Sequence, residues 1–261
     1  MGTRVIIPNS DFSRNGMPFY KDMVFITNSD TTVNVLFNNS ESVSISAIED
    51  VPCGIDCPVP FTSAANILID NTAIKEIVNI NSENVNTFDS AFQGMTNLKK
   101  IPPFVVSNSC TVLDRILYGC RNLEYIDAKN WDLSRCTTFF YAFAVCQNIE
   151  HIDLSKKKIG GYAILTDSFR SCTKLKSVRM PKAELPYRIM EMFSNCTALE
   201  EIDFTQFDVP VTEQHAGLFG NCPSLTTMYC NSSNYQYFIA RAADAGYSFS
   251  ADNNYVLHKN T

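Results

Sequence analysis

The sequence predicts an α/β repeat solenoid of helix-turn-strand units, preceded by a small β domain. Two observations carry this expectation. One phrase of four apolar positions at a strict 3-3-3 spacing occurs six times, and its anchor advances by 25, 26, 26, 24 and 26 residues between copies. A near-constant period in the twenties is the mark of stacked repeats. The first fifty residues, by contrast, hold short β-branched or alternating runs separated by Asn/Ser/Asp clusters, the pattern of strands and turns.

In chain order, residues 1–60 read as an N-terminal β-rich docking module and a Pro-rich linker. The runs Val24–Ile26, Val33–Phe37 and Val43–Ile48 predict a small antiparallel sheet. The passage Val51–Pro60 has neither helical nor strand period, and its prolines make it the expected domain boundary. Residues 61–230 form the solenoid, a partial first unit plus six repeats. Ile67–Asp70 is a strand candidate, and Ile74 and Ile77 lie 24 residues before Leu98 and Ile101. They predict a first unit whose helix is missing, as terminal repeats are commonly atypical.

The full copies are Phe92…Met95…Leu98…Ile101, Leu117…Cys120…Leu123…Ile126, Phe143…Cys146…Ile149…Ile152, Phe169…Cys172…Leu175…Val178, Phe193…Cys196…Leu199…Ile202 and Phe219…Cys222…Leu225…Met228. With the Cys/Met position as zero, apolar or small residues also fall at −7, −4 and −3, as in Phe88, Ala91 and Phe92 or Ile189, Met192 and Phe193. This stripe predicts a two-turn amphipathic helix in each unit. Gly94, Gly119, Asn195 and Asn221 sit at −1, where a left-handed residue closes a helix. The Leu-x-x-Ile that follows predicts a short strand. Neither element buries its apolar face alone, so the units must stack, seven of them making a slab roughly 30 Å long at strand spacing. Residues 231–261 read as the C-terminal cap: Asn231–Asn234 opens a helix from about 235 to 245, and a hairpin turns at Asp252–Asn254.

Five of the ten cysteines (Cys120, Cys146, Cys172, Cys196 and Cys222) share one repeat position, which Met95 fills in the first copy. A slot open to Cys or Met asks for a small, pliable apolar group, so a buried ladder of free thiols is expected there. Cys53 and Cys57 bracket a loop short enough for a disulfide or half a metal site; with no second Cys or His pair nearby they read as structural, in either redox state. The net charge of −6 and the scattered Lys and Arg leave no clustered basic surface, so nucleic acid is not expected as a partner. Lys156–Lys158 reads as a solvated turn. No run of 18 apolar residues predicts a membrane span, and no apolar leader opens the chain.

The repeat phrase resembles the BspA-like leucine-rich repeats, whose units read close to M-F-x-G-C-x-x-L-x-x-I/L-D-L-S-x-F-D. Asn130–Ser134 and Thr205–Val209 are similar to its connecting segment, and Ile152–Ser155 and Ile202–Thr205 to its strand. The resemblance covers about residues 74–230 and implies extracellular or surface recognition. The N-terminal phrase Val5–Ser13 is similar to the start of virion and tail-associated proteins of phages infecting gut Bacteroides-type bacteria, which reach the outside without secretion.

No catalytic, metal or cofactor site is expected. The three histidines, His151, His215 and His258, fall in different units with no Cys or carboxylate at ligand spacing. Asp127, Asp153 and Asp203 follow the strand Ile and are expected to accept a turn hydrogen bond from the amide two residues on. The two middle residues of each Leu-x-x-Ile point away from the core. They make a candidate binding face of Lys99, Lys100, Glu124, Tyr125, Glu150, His151, Lys176, Glu200, Glu201 and Thr226.

The leading expectation is a non-enzymatic phage virion structural protein, a tail or head appendage. Residues 1–60 would dock it to other virion proteins, and the repeats would face a host surface protein or glycan. The resemblance to such appendages implies a homo-oligomer, commonly a trimer, with no membrane insertion. The alternative is a bacterial cell-surface or secreted BspA-like adhesin expressed without its leader.

Overall fold

A computed structural model describes residues 23–37, 41–55, 63–210 and 215–260. The phrase Val5–Ser13, Cys57 and the second half of the Pro-rich passage, residues 56–60, lie outside the described residues, and the first half, read from sequence as without strand period, contains a short strand. Four strands precede the repeats: β1 (Met23–Thr27), β2 (Thr31–Phe37), β3 (Glu41–Ala47) and β4 (Cys53–Ile55). β2 and β3 form an antiparallel hairpin whose alternation buries Val33, Val35, Ile45 and Ala47. These strands share the core of the repeats. β1 pairs antiparallel with both β4 and β5 (Ile74–Ile80), and the Leu36 amide donates to Ile67 O at 3.0 Å. Strands on either side of the Pro-rich passage thus belong to one apolar cluster.

Among the described residues, the expected helix is absent from every unit. From −8 to −1 the chain runs through consecutive tight turns, and its amides donate alternately in two directions. In the first copy, Phe88, Ser90, Phe92 and Gly94 donate to Val112, Asp114, Ile116 and Tyr118 O of the next unit. Between them Ala91 and Gln93 donate three residues back, to Phe88 and Ser90 O. The physical reason lies in the backbone. Positions −5 and −1 have positive φ in all six copies: Ser90, Arg115, Tyr141, Asp167, Glu191 and Gly217, then Gly94, Gly119, Val145, Ser171, Asn195 and Asn221. An α-helix admits no such residues in its interior. The apolar stripe still predicts burial correctly, since Phe88, Ala91, Phe92 and Met95 are all fully buried. One unit closes by neighbouring units, not by its own i→i−4 bonds.

The same turns occur in the first unit, so it is not truncated on this side. Asn66 and Asp70 have φ of 57° and 56°, and Ala64, Asn66, Leu68 and Asp70 donate to Thr87, Asp89, Ala91 and Gln93 O. Ile67–Asp70 is therefore a turn segment and not the strand its sequence suggests. Val145 is the anomalous member of the −1 column, a β-branched residue at φ 62°, where branching clashes with the backbone. Val145→Asn is expected to raise stability by about 1 kcal/mol, read as a higher urea midpoint at unchanged slope.

The Leu-x-x-Ile segments do form strands in the later units: β6 (His151–Asp153), β7 (Ser177–Arg179), β8 (Glu201–Asp203) and β9 (Thr227–Tyr229). They pair in parallel, placing Ile152, Val178, Ile202 and Met228 in one buried row. In the earlier units a Glu76–Lys100 bridge and a bond from Glu124 N to Lys99 O continue this side. A third side bridges Val106 to Trp131, Lys158 to Lys182 and Ala183 to Phe207. Each unit is therefore one coil of strand, connector and turn lanes.

Inside the coil two columns run along the stack. The rings of Phe143, Phe169, Phe193 and Phe219 are stacked at centroid distances of 5.5, 5.4 and 6.2 Å, and Trp131 joins at Phe143. Beside them run the cysteines, all buried as free thiols. The thiols of Cys120, Cys146, Cys172, Cys196 and Cys222 donate to the carbonyls of Phe92, Leu117, Phe143, Phe169 and Phe193 one unit back, at 3.0–3.2 Å. The slot thus uses sulfur as a donor as well as a small apolar group.

The cap follows the expected plan. Helix α1 (Tyr235–Asp244) packs Phe238 on Phe204 with centroids 3.8 Å apart, and β10 (Phe249–Ala251) and β11 (Val256–Lys259) join the sheet at β9. Asn234 precedes α1 without a side-chain cap. Its buried amide instead donates to Phe204 O and Phe207 O, at 2.8 and 2.7 Å, satisfying carbonyls at the end of the stack. No helix among the described residues is long and apolar enough to cross a membrane.

Candidate functional site

The strand lane carries the residues singled out from sequence. Because units repeat in register, equivalent side chains form columns. Lys99, Glu124, Glu150, Lys176, Glu200 and Thr226 make one, and Lys100, Tyr125, His151, Ser177 and Glu201 the next. Backbone bonds fix the first column, from Lys176 N to Glu150 O, Glu200 N to Lys176 O and Thr226 N to Glu200 O, at 2.8–2.9 Å. Lys99, Lys100, Glu124, Glu150, His151, Glu200 and Thr226 are exposed, and Lys176 and Glu201 are half-buried. Tyr125 leaves 47% of its surface in water, a large share for an aromatic ring.

Charges in these columns pair along the stack. Lys176 Nζ lies 2.7 Å from Glu150 Oε2, which holds the Glu150 carboxyl below its ordinary range. His151 Nδ1 and Ser177 Oγ are 2.7 Å apart. Beyond them Arg179 faces Asp153 at 3.6 Å, and a recess of about 290 Å³ is lined by Val178, Arg179, Glu201, Asp203 and Tyr229. The Lys99–Lys100 end is basic, whereas Glu200 and Glu201 make the far end acidic. Such a face suits a partner of matching charge gradient.

Asp127, Asp153 and Asp203 accept from the amides of Lys129, Ser155 and Thr205 at 2.9 Å each. The turn reading of these acids is what the geometry shows. The hydroxyl of Ser155 also bonds Asp153 and lowers its carboxyl pKa. Lys157, in the basic run, donates to Lys129 O and Trp131 O of the preceding unit. The three histidines stay apart: His151 on the strand face, His215 in ring contact with Tyr237 at 5.7 Å, and His258 3.7 Å from Asp252. Among the described residues no three His, Cys, Asp or Glu side chains form a group that could hold a metal ion.

Sequence reasoning overlooked the opposite lane. Taken as a helix, its side chains have no columns. As stacked turns, Gln93, Tyr118, Ala144 and Arg170 fall in one column at −2, and Arg115, Tyr141 and Asp167 in another at −5. Aligning the repeats gives those columns directly, but their meaning needs the turn backbone.

A family model described as BspA type leucine rich repeat region matches six copies, over residues 62–166 and 137–242. No curated protein and no solved structure matches the chain.

Proposed function

The chain belongs to the BspA-type leucine-rich repeat family, and from that premise we propose that it is a non-enzymatic recognition protein that reads its partner with the strand lane. Membership in this family suggests protein–protein or surface recognition. The observation that carries the finer reading is the exposed pair of columns from Lys99 and Lys100 to Glu200 and Glu201, held at fixed rise by backbone bonds. The partner is a host surface protein or glycan. The setting we favour is a phage virion, with the chain as a tail or head appendage assembled as a homo-oligomer, a trimer first. The similarity of Val5–Ser13 to virion proteins supports that setting. A cell-surface adhesin is the second reading, favoured by the family's surface role.

Labelled protein is expected to adsorb to intact gut Bacteroides-type cells, and a Tyr125→Ala, Glu150→Lys, Glu200→Lys variant to lose at least about tenfold in affinity, as interface centres do. Equal adsorption by the variant would sink the strand-lane assignment. Assembly is tested by light scattering of the full chain and of a chain lacking residues 1–22, which leaves β1 in place. A trimer that becomes a monomer on truncation agrees with docking through the N-terminal segment. A monomer in both forms argues for the adhesin.

A further inference from the structure

We propose that the turn lane carries a binding site for an acidic sugar, a pyranose bearing a carboxylate, seated between Tyr118 and Arg170 with its carboxylate on Arg115. The site lies in the lane opposite the one assigned above, and its argument does not depend on that reading. It arises from the columns. At −2 the side chains run Gln93, Tyr118, Ala144 and Arg170. The small Ala144 interrupts a row of long residues and leaves a cavity of about 420 Å³, walled by Tyr118, Arg170, Arg115 and Tyr141 and rimmed by Gln93 and Ser171. That volume is in the range of small-molecule pockets.

The lining is sorted into committed and uncommitted groups. Arg170 is spent, with its guanidinium 3.1 Å from Asp167 and 2.7 Å from Glu191. Tyr141 is fixed at the wall. Its ring lies 5.7 Å from that of Tyr118, nearly perpendicular to it. Arg115 is held differently, over the rings of Phe140 and Tyr141 at 5.0 and 5.9 Å, and forms no ion pair with a described carboxylate. Its charge is therefore available to an anion. The Gln93 side-chain amide, the Tyr118 hydroxyl and the Ser171 hydroxyl make no hydrogen bond to another described residue. Several neutral donors and acceptors, ring surface and one open guanidinium match a carboxylated sugar ring.

An acidic peptide fits less well. A peptide that docks in extended form pairs with free backbone edges, and this lane has none to offer at the cavity. The amides of Tyr118, Ala144 and Arg170 donate within their own turns, while their carbonyls accept from Gly94, Gly119 and Val145. A ligand here is read by side chains alone.

The test uses the full chain and three probes in titration calorimetry: a tetrasaccharide ending in glucuronic acid, the same tetrasaccharide ending in glucose, and hexaglutamate. The acidic sugar is expected to bind at least tenfold more tightly than the neutral one. Arg115→Gln should remove that preference, and Gln93→Ala, a rim change that leaves the core intact, should weaken binding several-fold. The strand-lane variant described above should bind as the parent does. Absence of acidic-sugar binding, binding of hexaglutamate in its place, or an unaltered preference in Arg115→Gln protein that melts normally would each overturn the proposal. If Arg115→Gln does not fold, unchanged affinity in Gln93→Ala overturns it alone.

Discussion

Raising the pH above about 9 is expected to unfold the protein steeply. Burial raises the thiol pKa of Cys172 and Cys222 from 9.0 to about 12, and pushes those of Cys120, Cys146 and Cys196 well above the ordinary thiol range. A folded pKa raised in this way leaves stability intact below the ordinary thiol range. As pH climbs from 9 towards 12, the unfolded chain releases protons that the folded chain keeps, and stability falls. Each thiol removes about 1.4 kcal/mol per pH unit in that window, so five remove about 7. Against a total of about 5–15 kcal/mol, half-unfolding should come near pH 10.5. Circular dichroism under reducing conditions checks this through the number of protons linked to the transition, expected to be about five from this ladder. Cys146→Ala with Cys172→Ala should reduce that number by about two. An unchanged slope would show that the thiols are not the cause.

Phe169→Ala is expected to cost about 3–5 kcal/mol. Phe169 is fully buried and has a ring stacked on either side, at 5.5 Å to Phe143 and 5.4 Å to Phe193. Removing it opens a void in the middle of the column. In a chain of nearest-neighbour contacts such a defect also separates the two halves. Trp131, whose ring stacks on Phe143, reports on the first half. In the parent protein, urea transitions followed by Trp131 fluorescence and by circular dichroism should coincide. In Phe169→Ala they should part. A single coincident transition with a loss under about 1 kcal/mol would mean the ring column contributes little.

Much of the fold is legible in the sequence, because burial follows composition and period. The repeat spacing locates the rows that hold Ile152, Val178, Ile202 and Met228, and the shared Cys slot marks the thiol ladder. The Asp-x-Ser/Thr steps at Asp153 and Asp203 give their turn bonds. The turn lane misleads, since its −7, −4, −3, 0 pattern is satisfied equally by a helix and by a coil that turns every second residue. Choosing between them requires the backbone at −5, and Arg115, Tyr141 and Glu191 give no sign of a left-handed conformation. The same gap hides the cavity: Ala144 is small in the sequence, but it becomes an opening only when Tyr118 and Arg170 stand above and below it. The Pro-rich passage reads as a boundary because Pro breaks local structure, yet β1 crosses back to β5, a pairing no local signal announces.

The ladder bonds that replace the helix have a mechanical consequence. In the turn lane, bonds such as Phe143 N to Ser168 O and Phe169 N to Met192 O point from one unit to the next. A load pulling the two ends of the stack apart therefore acts on them in tension, one interface after another, with no long element to bear it in shear. Under such a load the molecule should lengthen in steps of about one coil, each step releasing some 24–26 residues. A solenoid built this way would yield gradually under load and re-form unit by unit when the force is removed.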